Sequence, residues 1–164
     1  DEEVTSDLAK EISEKINDLN ANGYLIKRQD YFLGRWLKYG ETGSMKLLKL
    51  GQKNSGNWQR QVHEVWDIKS KIALLNNPLL HYPHPAIAEF ISRINRWTDL
   101  DAKTFFLEGK RVGFWQVIIY PVAKFFVNYI WKLGFLDGMP GLIMTLCMSF
   151  HSFLTRSKLF MLQK

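Results

Sequence analysis

Apolar residues in the first stretch of the chain recur at the spacing of one helical face, which predicts an amphipathic helix over residues 5–21. The residues on this face are Leu8, Ile12, Ile16 and Leu19. Thr5 or Ser6 can cap the N-terminus of the helix, and acidic residues follow in its first turns. Gly23, after an asparagine, tolerates the left-handed backbone that ends a helix. The first predicted element is therefore a helix with one buried face.

The pattern then changes to short runs of aromatic and branched residues separated by Gly, Asn and Ser, which predicts strands. The predicted extended segments cover residues 24–33, 45–50, 59–66 and 72–75, and a further strand ends in Pro-Leu-Leu-His-Tyr at residues 78–82. Pro83 and Pro85 stop this region, and Pro85 suits the first turn of a following helix. We expect these segments to form a short mixed sheet.

Three helices are predicted after the sheet, over residues 86–107, 114–133 and 142–160. Pro121 lies inside the second of them and predicts a kink there. The sequence thus predicts two regions, one over residues 1–108 that carries the sheet and a helical one over residues 109–164.

The helix predicted over residues 114–133 is strongly amphipathic. Lys124, Asn128 and Lys132 form a polar stripe, while aromatic and branched residues cover most of the remaining surface. Such a helix can lie in a bilayer interface, with its lysines reaching lipid phosphates. No run of the sequence reaches the ~18–20 apolar residues that span a bilayer. The pattern predicts a membrane-associating region, and ordinary core packing against the last helix is the alternative.

Charge is distributed unevenly along the chain. The net charge is +6, yet residues 1–20 hold seven acids and two bases and sum to −5, which leaves +11 for the remainder. A basic body with many aromatic residues favours an anionic partner, and an anionic membrane surface is the expected one. The basic residues form no recognised DNA or RNA motif, so we expect no nucleic acid partner. The single cysteine, Cys147, excludes an internal disulfide.

The sequence contains no Gly-rich phosphate loop, Cys-x-x-Cys pair, Gly-x-Ser-x-Gly elbow or His-Glu-x-x-His zinc motif. His63 and Glu64 are the strongest catalytic candidates. Val62 and Val65 flank the pair, and a partly desolvated carboxylate is an effective general base. Strand alternation would place His63 and Glu64 on opposite faces unless the strand ends there. A surface glutamate on an edge strand is the alternative.

Cationic and aromatic residues supply candidate substrate contacts. Arg35 and Trp36 follow a predicted strand and could bind phosphate or stack on a sugar ring, or could instead cap the sheet edge. Arg93 and Arg96 lie on a predicted helix, where they could meet a diphosphate or belong to a solvated face. His81 and His84 could be metal ligands by residue type, but two histidines that flank a proline, without other ligands at a fixed spacing, indicate a metal site only weakly.

The order of motifs from residue 58 to 102 resembles the acceptor side of family 2 glycosyltransferases of the bacterial cell envelope. A His-Glu pair is followed by Pro-Leu-Leu-His-Tyr and then by Arg-Ile-Asn-Arg-Trp on a helix. The nearest subgroup adds glucose to the heptose of the lipopolysaccharide core. The resemblance implies an α/β enzyme of GT-A type, of which this chain would form the C-terminal half, an α+β fragment. It also implies a nucleotide-sugar donor, inversion at the anomeric carbon and Glu64 as the base.

The same resemblance makes Asp1 the second aspartate of an Asp-x-Asp motif that binds Mg²⁺ or Mn²⁺. The donor-binding half would precede Asp1, so residues 1–164 alone are expected to be inactive. The resemblance further implies a cell-envelope glycan or lipid-linked acceptor. The substrate contacts would come from His63, Arg35, Trp36, Arg93 and Arg96. The enzyme would be cytoplasmic and peripheral on the inner face of the cell membrane. The rival reading is a non-enzymatic basic module that docks on a membrane or a partner.

Overall fold

The computed structural model describes residues 1–17, 21–59, 65–68, 70–83 and 86–164. The chain folds as two compact units. The first, here the sheet unit, comprises Asp1–Tyr31 and Thr42–Pro83. The second, here the helical unit, comprises Phe32–Glu41 and His84–Lys164. The predicted division of the chain at residue 108 stays a prediction.

The sheet unit contains one helix and most of the strands. In chain order they are β1 (Glu2–Glu3), α1 (Ser6–Lys15), β2 (Gly23–Phe32), β4 (Lys46–Gly51), β5 (Gly56–Gln59), β6 (Val65–Ile68), β7 (Ile72–Leu74) and β8 (Leu79–His81), with β3 (Arg35–Trp36) falling in the other unit. Strand β2 is the centre of a mixed sheet. It pairs antiparallel with β4 and parallel with β7 and β8, while β1 pairs antiparallel with β8. The predicted mixed sheet is confirmed.

Helix α1 closes one face of this sheet. Thr5 is its N-cap, since its hydroxyl oxygen accepts a hydrogen bond from the Leu8 amide at 3.2 Å. Leu8 is fully buried with a group of sheet residues, Tyr24, Ile26, Leu75 and Leu79. The helix ends at Lys15, short of the predicted residue 21, and Ile16 is 65% exposed. The prediction that Ile16 belongs to the buried face was therefore wrong, and Leu19 lies outside the described residues.

The segment predicted as one strand over residues 59–66 contains parts of two. Strands β5 and β6 form an antiparallel pair in which Trp58 lies opposite Trp66. Glycines make the close packing beside this pair possible. A Cβ atom on Gly51 would lie 2.4 Å from the Trp66 ring, and one on Gly56 would lie 2.2 Å from the Asp67 carbonyl oxygen. The predicted single strand was wrong because periodicity alone does not show where a chain reverses direction.

Glu11 fixes the loop between β7 and β8. Its carboxylate is 8% exposed and accepts hydrogen bonds from the backbone and side-chain nitrogens of Asn76 and Asn77, at 2.7–3.0 Å. Burial raises the pKa of Glu11, but the four hydrogen bonds outweigh burial and hold that pKa below its ordinary value. Because the folded-state pKa is depressed, the stabilisation is complete above the ordinary carboxyl pKa. It is lost as pH falls through the folded-state value.

Glu11→Gln is expected to lower the free energy of unfolding by roughly 1.5–3 kcal/mol, because an amide cannot accept from both asparagines. Glu14→Gln on the exposed part of the same helix is the control and should change stability by no more than about 0.5 kcal/mol. Urea denaturation from neutral to acid pH measures both effects. The gap between wild type and Glu11→Gln should narrow as pH falls, and a gap that widened would contradict this role.

The helical unit consists of α2 (Ile87–Leu107), α3 (Phe114–Phe126) and α4 (Gly138–Leu162). A core of Phe32, Leu37, Phe90, Ile94, Met144 and Cys147 is buried between α2, α4 and the segment from residue 32. A smaller cluster joins Ala102, Val112 and Leu159. The three predicted helices are confirmed, although the last begins at Gly138 rather than residue 142. Helix α3 continues through Pro121 and then changes to a π-helical turn at Val127–Trp131.

Asp137 ties the start of α4 to the segment that contains Arg35. It is 1% exposed and accepts hydrogen bonds from the backbone amides of Lys38 and Tyr39, at 2.9–3.2 Å. Gly134 and Gly141 allow the backbones to meet here, since a Cβ on Gly141 would lie 2.2 Å from the Gly134 carbonyl oxygen. These hydrogen bonds hold the Asp137 carboxylate inside the helical unit.

Candidate functional site

Three neighbouring strands of the sheet unit bring Asp1, Asp30 and His81 to the same end of the sheet. In the register of these strands, Glu2 lies opposite His81 on β8, and Asp30 on β2 lies opposite the same histidine. The Tyr82 amide donates a hydrogen bond to the Asp1 carbonyl oxygen at 2.7 Å. Residues that are 29 to 80 positions apart in the sequence thus become neighbours through strand pairing.

Asp30 is the buried centre of this cluster, with only 2% of its side chain exposed. Arg28, two positions earlier on the same face of β2, forms an ion pair with it: Nε lies 2.8 Å from Oδ1, and Nη2 donates to Oδ2 at 3.1 Å. His81 Nδ1 lies 2.9 Å from Asp30 Oδ1. A carboxylate accepts hydrogen bonds, so Nδ1 carries the proton in this contact. The arrangement fixes the orientation of the imidazole ring.

The other ring nitrogen, His81 Nε2, faces Asp1. It lies 3.8 Å from Asp1 Oδ2, and the Asp1 side chain is 54% exposed. The neighbouring acids are engaged elsewhere, because Lys49 forms an ion pair with Glu2 at 2.9 Å and Tyr82 hydrogen-bonds Glu3. Partial desolvation is the larger cause, and the nearby Glu3 carboxylate the smaller cause, of a raised Tyr82 pKa. The phenol of Tyr82 therefore keeps its proton at neutral pH. Asp1 therefore faces Nε2 of His81, while Asp30 contacts Nδ1 of the same ring.

The chemistry of Asp1 and His81 fits two ligands of a divalent metal. A histidine that binds a metal commonly donates its second nitrogen to a carboxylate, and the contact between His81 and Asp30 has this form. Among the described residues, no group of three or more His, Cys, Asp or Glu side chains is placed to hold a metal ion. Phosphates and waters would complete the coordination of a metal held by these two side chains.

The other predicted site residues fall into two groups. Glu64, His63 and His84 lie outside the described residues, and the first two directly precede β6 in the sequence. Arg35, Trp36, Arg93 and Arg96 belong to the helical unit. Arg35 Nη2 donates to the Leu136 carbonyl oxygen at 3.1 Å. Arg93 forms an ion pair with Glu89 one turn earlier on α2, whereas Arg96 is exposed.

Sequence reasoning missed Asp30 and Arg28 and gave His81 little weight. A signal was present, because two opposite charges at i and i+2 on a predicted strand share one face of the sheet. What the sequence could not supply is the strand order, which places β8 and β1 beside β2.

Comparison with known proteins finds distant similarity to proteins named as glycosyltransferases. The chain is 24% identical to the lipopolysaccharide core biosynthesis glycosyltransferase LpsC of Rhizobium meliloti, over 84% of this chain and 52% of that protein. It is 26% identical to an uncharacterized glycosyltransferase of Rickettsia conorii, over 57% of this chain and 33% of the relative. The chain is a distant relative of glycosyltransferases. A similar protein of Rickettsia felis, also an uncharacterized glycosyltransferase, matches at 26% identity over the same share of the chain.

The chain spans between a third and about half of the length of these curated relatives. No family model matches the chain. No solved structure matches it either. The mixed sheet followed by helices is compatible with a part of a glycosyltransferase.

Proposed function

We propose that this chain is the acceptor-side part of an inverting family 2 glycosyltransferase. The enzyme transfers a hexose from a nucleotide-sugar donor to a cell-envelope glycan or a lipid-linked acceptor. The observation that carries the proposal is the contact of Asp30 with His81, which aims Nε2 at Asp1. The motif resemblance independently assigns Asp1 to the metal motif, and the similarity to LpsC supports an envelope substrate.

Each residue of the cluster has a distinct role in this proposal. Asp1 and His81 would hold Mg²⁺ or Mn²⁺, and the metal would supply positive charge to offset the diphosphate of the donor. Asp30 keeps the His81 proton on Nδ1, so that Nε2 presents its lone pair towards Asp1. Arg28 compensates the buried charge of Asp30, which would otherwise be costly to desolvate.

Sugar transfer with inversion also needs a base that takes the proton of the acceptor hydroxyl as it attacks the anomeric carbon. We assign this role to Glu64. His63, Arg35 and Trp36 are proposed to contact the sugar or its phosphates, and Arg93 and Arg96 to contact a diphosphate or an anionic acceptor. Arg96 is the most available of the last two, since Arg93 is paired with Glu89.

Residues 1–164 alone are expected to release no sugar from any nucleotide sugar, whereas a longer protein that includes the donor-binding part should do so. The reason is that two metal ligands cannot bind a nucleotide without the strands that hold its base and ribose. Donor hydrolysis by both proteins, measured by release of the nucleoside diphosphate, tests this. Circular dichroism of the short chain is the control for folding. Turnover by folded residues 1–164 would contradict the proposed division of labour.

A further inference from the structure

Two members of the predicted polar stripe, Lys124 on α3 and Asn128 in the following π-helical turn, face the protein interior. Lys124 Nζ lies 3.0 Å from Glu41 Oε2, and Asn128 Nδ2 donates to the same oxygen at 3.3 Å. Asn128 is 4% exposed, although it is a polar residue on a helix surface. The expectation that Lys124 reaches lipid phosphates is corrected by this ion pair. Lys132, the third member of the stripe, is exposed and remains available.

The apolar side of α3 faces outwards. No residue of α3 is buried; Val117 and Phe125 are half-buried, and seven other large hydrophobic side chains are 45–69% exposed. They are Phe114, Trp115, Ile118, Ile119, Tyr120, Val122 and Phe126. Ile130 and Trp131 in the following π-helical turn continue this surface, and Trp131 is 85% exposed. A helix of a water-soluble domain normally has the opposite orientation, with its apolar stripe against the core.

Helix α4 repeats the same inversion. Its buried face is made largely of small and hydroxyl residues, Gly141, Thr145, Ser149, Ser152 and Thr155. Its exposed face carries large apolar residues, Met139, Leu146, Phe150, Phe153 and Met161. Small and hydroxyl residues line helix contacts in lipid, where large apolar side chains gain nothing by turning inwards.

The length and charge of this region identify the environment it fits. Among the described residues, no single helix is long and apolar enough to cross a bilayer, whereas Phe114–Trp131 and Gly134–Leu162, bent by 70°, satisfy the criterion together. Residues 109–164 contain seven basic residues and one acid, Asp137. Asp137 is buried and bonded to backbone amides, so the surface of this region is cationic.

We infer that the outer faces of α3 and α4 embed in one leaflet of an anionic phospholipid bilayer. The exposed aromatic and aliphatic side chains enter the boundary between headgroups and acyl chains, and Lys132 and Arg111 meet lipid phosphates. Lys110 is ion-paired with Glu108 at 2.7 Å. The bend allows both helices to lie along the same leaflet. This attachment is stronger than charge alone could give, and it would hold an enzyme of envelope glycans at the surface where a lipid-linked acceptor resides.

The test is flotation of the full chain with vesicles of phosphatidylcholine and phosphatidylglycerol at low salt and at about 1 M salt, where charges are screened within ~3 Å. The chain should float at both concentrations, with weaker binding at high salt. Trp115→Ser with Phe126→Ser should reduce the high-salt binding about tenfold or more, since each removes exposed apolar surface.

A matched variant that replaces Ile16 and Leu100 with Ser removes two other exposed apolar side chains, 65% and 46% exposed, from outside this surface. It should float as the wild type does. Circular dichroism confirms that both double variants are folded. Brominated lipids should quench the fluorescence of the wild type more than that of a Trp115→Phe, Trp131→Phe variant.

Three results would overturn the inference. The first is wild-type chain that stays out of the vesicle fraction at low salt. The second is flotation that is lost completely at about 1 M salt, because charge alone would then explain it. The third is a defined dimer by light scattering that fails to float and that the double variant of Trp115 and Phe126 dissociates. In that case a second copy of this chain covers the surface.

Discussion

Glu64→Gln, made in a longer protein that carries the donor-binding part, is expected to lower kcat by ~10²–10⁴-fold while the donor KM changes little. Glutamine keeps the size of the side chain but cannot accept the proton of the acceptor hydroxyl. A base acts mainly in the transition state, so its loss affects the rate far more than binding. Steady-state kinetics with saturating acceptor measures both constants.

Two further variants sharpen this test. Glu64→Asp keeps a carboxylate but withdraws it by one methylene, so its kcat should fall between those of the wild type and Glu64→Gln. Glu14→Gln removes an exposed carboxylate of α1 and should leave kcat unchanged. A Glu64→Gln enzyme with wild-type kcat would remove Glu64 from the mechanism.

His81→Ala is expected to raise the Mn²⁺ concentration for half-maximal activity by at least about 10–100-fold, because it removes one of two proposed protein ligands. Asp30→Asn should raise the same Mn²⁺ concentration by a similar ~10–100-fold, since Asp30 positions the imidazole and is not itself a proposed ligand. Excess metal should restore much of the activity of Asp30→Asn, and less of that of His81→Ala.

The metal titration separates a positioning role for Asp30 from a merely structural one. Asp30 is buried and ion-paired with Arg28, so its replacement lowers stability in either case. A structural role alone would reduce the amount of folded enzyme and leave the half-maximal metal concentration unchanged. An unshifted titration for both His81→Ala and Asp30→Asn would contradict the proposed metal site.

The elements that the sequence predicted well are those whose signal is local. Helix α2 begins within one residue of its predicted start and ends at its predicted end, because its apolar period extends over 21 residues. The long strand β2 was likewise predicted to within one residue at each end. The pair β5 and β6 was predicted as one strand, because the reversal between them depends on pairing that a local pattern does not record.

The site was harder to predict because it depends on strand order. Asp1, Asp30 and His81 meet only because β1, β8 and β2 are adjacent, and that adjacency is a property of the whole sheet. The direction in which α3 presents its polar stripe is a similar case. The sequence shows that one face is polar, but only the ion pair of Lys124 with Glu41 shows that this face turns inwards.

The membrane inference and the proposed enzyme activity are separable. A non-enzymatic docking module would also float with anionic vesicles, since flotation depends on α3 and α4 alone. The proposed enzyme, unlike a docking module, also needs Asp30 to orient His81 towards Asp1. The metal titration of the His81→Ala and Asp30→Asn enzymes therefore distinguishes the two readings.

The most direct test of sugar transfer is the metal dependence of label transfer from nucleotide sugars to truncated lipopolysaccharide, using a protein that contains this chain and its donor-binding part. In the proposed site Asp1 and His81 would be the protein ligands of a divalent metal, so the activity should depend on added Mg²⁺ or Mn²⁺. The account predicts labelled glycan with an inverted anomeric linkage, formed with divalent metal and abolished by a chelator. Folded, membrane-bound protein that transfers no sugar from any donor in the presence of metal would contradict it.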